Sequence, residues 1–408
     1  MSIMTKLKFL PKFLRIKVIR LNIKITAPPE DFQVNVATSQ KELEKAYLLL
    51  HDCYVSAKLM APDPSGLRCN FFSFLPYTTT VVAKIGDTVV GTVSLIKDSH
   101  VGLPSDKDFK FENDQLRLTG QELVEISSLA IDPQFRKKAH VVSLYLMKYL
   151  QHYTTNHMGC TTVTCVVHPR AKDFYAAFWG FKSNKKVIKY KFVNDALGIH
   201  VFGEITSEKV KSLVSSFPKE ENRNPMNFIL KNEPCLIYPE RKSSYHLDPI
   251  YTPNLLKYFL AERTQAYKKL SDSEMQIIYS AYSLFFENLE KLEFFKNIGS
   301  TIFSKRNFRF PTKIHASLSS DQKVVTSGSI RDLSADGAFL ATELNLELNK
   351  EYQMDFEVGL QTFSFEVVVC WQNRRKRNNQ VVGYGVRFLQ TQMGIARLLR
   401  QTHLSKTG

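Results

Sequence analysis

Hydrophobic positions change period several times along this chain, and each change marks a predicted element. Ser39 with Glu42 three residues on makes a capping box, and Leu43, Tyr47, Leu50 and Tyr54 then recur at helical spacing, which predicts a first helix. The run TVVAKIGDTVVGTVSLI, residues 80–96, sets Gly86-Asp87 between two β-branched stretches and predicts a hairpin. A strand is predicted over Glu122–Ile131, then an amphipathic helix over Val141–His157 and a strand over Thr161–Val167. Helix, hairpin, strand, helix, strand in this order indicates a mixed α/β sheet flanked by helices.

Further on the period lengthens. Thr252-Pro253 suits a helix start, since proline tolerates the first helical position, and Leu255, Leu256, Phe259 and Leu260 supply its apolar face. Ser271 with Glu274 opens another helix, in which Met275, Ile278, Tyr282, Phe285, Leu289 and Leu292 continue one stripe until Ile298-Gly299-Ser300 ends it. That stripe reads as core, with a dimer seam or a tunnel wall as alternatives. Beyond Gly299 come short apolar runs (SIRDL, GAFLAT, YQMDFEV, FSFEVVVCW, YGVRFL) punctuated by Gly337, Asn349, Asn378-Asn379 and Gly383, which indicate a small antiparallel β-barrel. At the other end, Ile19, Leu21, Ile23 and Ile25 alternate with Arg20, Asn22 and Lys24 and predict a packed strand.

The expected plan is a basic segment at 1–30, an α/β domain at 31–205, a helical connector at 206–302, a barrel at 303–396 and a tail at 397–408. A length of 408 residues suits such a division, because it exceeds what one core usually organises.

Charge changes the picture in one respect. The formal net charge is +16, which favours anionic partners: nucleotides, phosphopantetheine, acidic carrier proteins or lipid. No reading helix or stacking motif points to nucleic acid. Lys6, Lys8, Lys12, Arg15, Lys17, Arg20 and Lys24 follow one another without an acidic residue, so residues 1–25 alternatively suit peripheral contact with anionic lipid. Cys53, Cys69, Cys160, Cys165, Cys235 and Cys370 lack CxxC spacing, fit neither a metal site nor a disulfide framework, and read as reduced. No apolar run approaches the roughly 18 residues of a membrane span. The expected location is the cytoplasm, with contact at the inner membrane surface as its extension.

Three strings go beyond periodicity: VEISSLAIDPQFR (124–136), CVVHPRAKDFY (165–175) and FWGF (178–181). In this order and spacing they resemble the GNAT-type acyltransferases, above all the N-acyl amino acid synthase and acyl-homoserine-lactone synthase branch. The resemblance implies a GNAT-like fold in which a splayed strand pair grips the pantetheine arm of an acyl thioester. It also implies transfer of a fatty acyl group to an amine, without a metal. By position it nominates Glu125 to orient or deprotonate the acceptor amine, with a surface carboxylate on a sheet edge as the alternative, and Tyr175 to protonate the leaving thiol, with a bonded core aromatic as the alternative. His168, just past a strand end where α/β sheets place ligands, is a third catalytic candidate, a structural role being its alternative. FRKKAHVV (135–142) carries Ala139 and Val141 where the superfamily's pyrophosphate loop has glycines. That departure favours a donor held on acyl carrier protein over acyl-CoA, with Arg136, Lys137 and Lys138 meeting the carrier's acidic surface. Ser128 stands where the lactone-synthase branch commonly has arginine, which argues against a lactone product.

KRNFRFP (305–311), RDLSADGAFL (331–340) and GYGVRFL (383–389) resemble the PilZ domain. The resemblance implies a PilZ-type antiparallel barrel that binds cyclic di-GMP through Asp332, Ser334 and Gly337 and through Lys305, Arg306 and Arg309 of the preceding segment. Arginine forks suit guanine O6 and N7, and carboxylates suit guanine N1 and N2. Lys305 replaces the first arginine of the family's RxxxR, keeping charge but losing the fork. The reading is a cyclic di-GMP-responsive N-acyltransferase. The alternative is a non-catalytic effector on a degenerate acyltransferase scaffold.

Overall fold

The alternating apolar positions of the N-terminal half form one eight-stranded mixed sheet in the computed structural model, which describes residues 9–99, 101–239, 251–283, 286, 289–296, 310–320, 323–334, 337–358, 361–373 and 382–389. The chain divides into two compact units, one from residues 1–69, 78–97 and 103–240, the other from 70–77, 98–102 and 241–408.

The first unit runs α1 (Lys12–Asn22), β1 (Phe32–Val36), α2 (Gln40–Ser56), β2 (Thr78–Ile85), β3 (Thr88–Lys97), α3 (Asp106–Leu118), β4 (Leu123–Ile131), α4 (Ala139–His152), β5 (Thr162–Val167), α5 (Lys172–Trp179), β6 (Lys182–Tyr190), β7 (Ala196–Glu204), α6 (Ser207–Leu213), α7 (Pro225–Leu230) and β8 (Leu236–Ile237). Strand order is β6-β7-β5-β4-β3-β2-β1-β8, with β4/β5 and β1/β8 parallel and the other pairs antiparallel. The sheet is therefore GNAT-like, as expected.

Local signals held where they were strongest. Ser39 Oγ accepts the Glu42 N–H at 3.2 Å and starts α2. Gly86, at φ 54°, turns β2 into β3. Helix α4 packs across β1 to β4, and it comes close because β3 carries Gly91: a Cβ there would lie 2.7 Å from Val142 Cγ1. The helix expected to reach His157 ends at His152, and a π-turn follows over Tyr153–His157.

The N-terminal expectation is corrected. Residues 12–22 form α1 rather than a strand, and extended backbone begins only at Ile23. Long Lys and Arg side chains are good helix formers, and tertiary contacts then outweigh the short alternation. Ile19 is buried against Ala177 and Phe174, Arg15 Nε pairs with Asp173 Oδ2 at 2.9 Å, and Arg20 Nε donates to the Ala177 carbonyl at 2.9 Å.

In the second unit, α8 (Pro253–Leu256) starts at Thr252, whose Oγ1 accepts the Leu255 N–H at 3.3 Å. The Tyr251 ring lies between Phe74 and Phe259, at 5.9 and 5.7 Å. A capping box at Ser271 and Glu274 opens α9 (Asp272–Ser283). Met275, Ile278 and Tyr282 are buried within the chain, which agrees with a core stripe. The stripe is not one helix, however. Helix α9 is followed by non-helical Phe286, Leu289 is buried from a separate 3-10 turn, and Phe285 lies outside the described residues.

Strands β9 (Phe310–Ser320), β10 (Lys323–Leu333), β11 (Gly337–Ala341), β12 (Glu351–Val358), β13 (Gln361–Asn373) and β14 (Gly383–Phe388) close a six-stranded antiparallel barrel in the order β10-β11-β14-β13-β12-β9. Among the described residues, no helix is long and apolar enough to cross a membrane.

Candidate functional site

Strands β4 and β5 pair only over Leu123–Glu125 and Thr162–Thr164. Beyond these residues they part, since β4 continues to Ile131 and β5 to Val167 without further mutual pairing. Main-chain groups along such a gap suit another extended chain, which adds to a strand edge by backbone hydrogen bonds. A bulge lies beside the gap. Thr92 faces Ala130 and Ser94 faces Ser127, so Ser128 and Leu129 together oppose Val93, and Ser128 takes φ 56°. A bulge leaves one residue free of the ladder, which here continues on both sides.

A pocket of about 200 Å³ surrounds the gap. Its walls are Glu125 to Leu129 from β4, Cys165 to His168 at the end of β5, Tyr175 from α5, Tyr54 from α2, Arg68, and residues of β6 and β7 that include Tyr190. Ile126, Leu129 and Tyr175 also border an apolar cavity of about 30 Å³ walled by Leu146, Met147, Leu150, Trp179 and Phe181. Ser143 and Met147 carry on into a third hollow of about 450 Å³ beside His140, Phe174 and residues 22–24. The three spaces lie side by side with shared walls, and Glu125 lines the first of them.

Glu125 is only 2% exposed, and its Oε2 accepts the Ser105 N–H at 2.9 Å. A buried chain of polar side chains extends from this point. Asn113 donates to Ser105 Oγ at 2.8 Å, Thr164 Oγ1 donates to Asn113 Oδ1 at 3.4 Å, His200 Nε2 bonds Thr164 Oγ1, and Asn184 donates to His200 Nδ1 at 2.8 Å. Every link is satisfied if His200 is neutral with its proton on Nε2. Burial pushes His200 down to about 4, opposed in part by Asp106.

A pH dependence of stability follows. The folded value lies below the ordinary 6.5, so the contribution is complete above that pH and is lost as pH falls towards 4. It corresponds to on the order of 3 kcal/mol. Urea titrations at pH 7 and pH 4.5 should show this loss in the wild type and a smaller one in His200→Gln; equal slopes would remove His200 from the acid sensitivity.

Burial raises the Tyr190 phenol; Glu125 raises it further and Arg68 lowers it, so Tyr190 lies within the field of both charges. Burial, and then Glu125, push the Cys165 thiol up, which keeps it protonated and unreactive. The other nominated residues divide. Tyr175 lines the pocket and stacks on Phe181; burial raises its phenol, and its hydroxyl makes no hydrogen bond among the described residues. His168 is exposed at the pocket edge, where its Nδ1 accepts the Arg170 N–H at 3.2 Å and caps the turn Pro169–Ala171. The turn Pro133–Lys138 leads directly into α4 with Lys138 exposed, and the side chains of Arg136 and Lys137 lie outside the described residues.

In the barrel, Asp332 lies half-buried at a register shift, one residue before the end of β10. Ser334 is 3% exposed and bonded inward: its N–H donates to the Gly337 carbonyl at 2.7 Å, and its Oγ accepts the Gly337 N–H at 3.2 Å. Gly337 faces Arg387 of β14, where an added Cβ would lie 2.1 Å from the Val386 carbonyl oxygen. Ser334 and Gly337 therefore hold the turn, whatever else they contact. Lys305, Arg306 and Arg309 lie outside the described residues; Phe310, next to Arg309 in sequence, pairs with Leu333, beside Asp332.

Residues 45–201 match the family model of the N-acyl amino acid synthase FeeM, and residues 304–402 match that of the PilZ domain. Among curated proteins none matches the chain. Solved structures similar to the chain include FeeM, an N-acyl amino acid synthase from uncultured soil microbes, at 21% identity over 44% of this chain and 93% of that one, with a TM-score of 0.38. The AHL synthase LasI is 14% identical over 47% and 97%, with a TM-score of 0.34. BjaI, a CoA-dependent acyl-homoserine lactone synthase, is 16% identical over 48% and 99%, with a TM-score of 0.34. The chain thus joins an acyltransferase domain of the N-acyl amino acid synthase FeeM type, within residues 45–201, to a PilZ domain at residues 304–402.

Proposed function

We propose that this chain moves a fatty acyl group from a pantetheine thioester to the amine of an amino acid or a related acceptor, under the control of cyclic di-GMP bound at the barrel. The observation that carries the reading is the Glu125 carboxylate, buried in the pocket at the vertex where β4 and β5 part. The pantetheine arm lies along the gap, and the apolar space beside Trp179 and Phe181 receives the start of the acyl chain. Glu125 takes a proton from the acceptor ammonium, and the freed nitrogen attacks the thioester carbon. Main-chain N–H groups at the Ser128 bulge polarise the carbonyl oxygen. Tyr175 returns a proton to the departing thiolate, and His168, at the pocket edge, orients the entering acceptor.

The donor is acyl carrier protein rather than acyl-CoA. Support comes from Val141, whose side chain is 3% exposed in the core where a phosphate loop would need an open backbone, and from the basic run Arg136, Lys137 and Lys138 before α4. The barrel takes cyclic di-GMP with Asp332 on a guanine edge, Lys305, Arg306 and Arg309 on phosphate and guanine, and Ser334 and Gly337 shaping the turn. Residues 1–25 rest on the anionic inner membrane surface: Phe9, Phe13 and Leu21 are exposed, and no acidic residue precedes Glu30.

The test uses the purified full chain, long-chain acyl carrier protein or acyl-CoA, and a panel of amines, with products identified by mass spectrometry. Acylated amine formed faster from the carrier protein is expected; no product from either donor would leave only the effector reading. Calorimetry tests the barrel. Cyclic di-GMP should bind, and Arg309→Ala should weaken binding by about 1 to 3 kcal/mol, the contribution of one arginine–guanine fork. No heat with the wild type would end the sensor assignment.

A further inference from the structure

Among the described residues, no carboxylate pairs with Arg68, a cation of the pocket wall. Its Nη2 donates to the Phe192 carbonyl at 3.1 Å, Nη1 reaches Met60 Sδ at 3.6 Å, and the guanidinium lies 4.3 Å from the centre of the Tyr54 ring. Nε is buried with no hydrogen bond, and no carboxylate pairs with Arg68 among the described residues. Burial lowers its pKa, and only weakly acidic Tyr and Cys groups oppose that. Among the half-buried arginines of this unit, Arg15 has Asp173 and Arg117 has Asp106 and Asp114, while Arg20 and Arg223 meet main-chain carbonyls; Arg68 differs from all of these in lining the pocket that holds Glu125. A guanidinium shielded from water gains from a counter-charge, so a guanidinium in a pocket wall with no carboxylate among the described residues marks the place where a ligand brings the anion.

That wall belongs to the same pocket as Glu125, and Tyr190 feels both charges. The pocket thus offers a carboxylate and a guanidinium on one ligand, with polar Ser127 and Ser128 beside them.

We infer that Arg68 is the specificity-determining residue that recognises the acceptor's carboxylate, holding the amino acid zwitterion with its ammonium towards Glu125 and its carboxylate on the Arg68 guanidinium. This rests on the acyl-transfer reading and narrows it, because amines without a carboxylate are excluded. Glu125 takes one ammonium proton and later releases it to water. As the C–N bond forms, the carbonyl π pair moves to oxygen; as it returns, the C–S bond breaks, and the sulfur receives the second proton from nitrogen by way of Tyr175. The product keeps its carboxylate on Arg68.

The test compares L-leucine and L-phenylalanine with their carboxamides, by saturation-transfer NMR and by turnover with acyl carrier protein as donor. The wild type should bind and acylate the amino acids at least about tenfold better than the amides, as expected for a charge-assisted bidentate contact. Arg68→Gln should raise KM for the amino acids to the level of the amides and leave the amides unchanged, and Arg68→Lys should fall between. Equal binding of acid and amide by the wild type overturns the inference, as does an equal loss of both in Arg68→Gln. If neither class is acylated, the transfer reading fails separately, while preferential binding of the acids in the NMR measurement still decides for Arg68.

Discussion

Glu125→Gln is expected to lower turnover by about 10²- to 10⁴-fold, the range that general-base groups contribute. Glutamine keeps the volume and an acceptor for the Ser105 N–H now bonded at 2.9 Å, so the folded chain should keep its melting temperature. What it removes is the negative charge and the capacity to take a proton from the acceptor. Alanine would be a poorer choice, since it would orphan a buried N–H and confuse catalysis with stability. Turnover that survives in Glu125→Gln at the wild-type level would leave the β4–β5 gap without a base and return the domain to a scaffold role. Cyclic di-GMP binding should not change, because Glu125 belongs to the sheet and Asp332 to the barrel.

Gly337→Ala is expected to destabilise the barrel by about 1 to 3 kcal/mol, as overpacking does in well-packed interiors. The new Cβ would stand 2.1 Å from the Val386 carbonyl oxygen, and a backbone atom cannot rotate away as a flexible side chain can. Either the β11–β14 pair opens at Gly337–Arg387, or the turn that Ser334 closes moves, and Asp332 moves with it. Trp371 reports this transition: it stacks on Phe339 at 5.4 Å and is the only barrel tryptophan, so a Trp179→Phe background isolates its fluorescence. Nucleotide affinity should fall together with the unfolding midpoint. Lost binding with an unchanged midpoint would mean instead that the glycine serves the ligand directly.

These two residues differ in how they could be found. Gly337 stands in a motif whose spacing is local, so sequence placed it correctly at the turn; the reason for a glycine there came from a strand that pairs with it from residues 383–388. Glu125 was nominated by the string around it. Its burial and its link to Ser105, Asn113, Thr164 and His200 were not legible, because these residues come from separate stretches of chain that meet only when β4, β5 and β7 lie side by side. Arg68 carried no local signal, being one of many cations in a basic chain; what sets it apart is its place in the pocket wall without a carboxylate partner among the described residues. The N-terminal segment shows the opposite failure. Its alternation at Ile19–Ile25 was real but short, and docking on α5 through Ile19, Arg15 and Arg20 selected a helix instead.

By itself the sequence determined what depends on neighbours a few residues apart: the caps at Ser39, Thr252 and Ser271, the hairpin at Gly86, the sheet-and-barrel plan, and the motifs holding Glu125 and Asp332. Tertiary structure alone decided the parting of β4 from β5, the Ser128 bulge, the polar chain to His200 and the unmatched charge of Arg68. The division is physical. Caps and turns satisfy backbone groups within one stretch of chain, whereas burial, charge balance and strand pairing are properties of segments that the fold brings together from far apart.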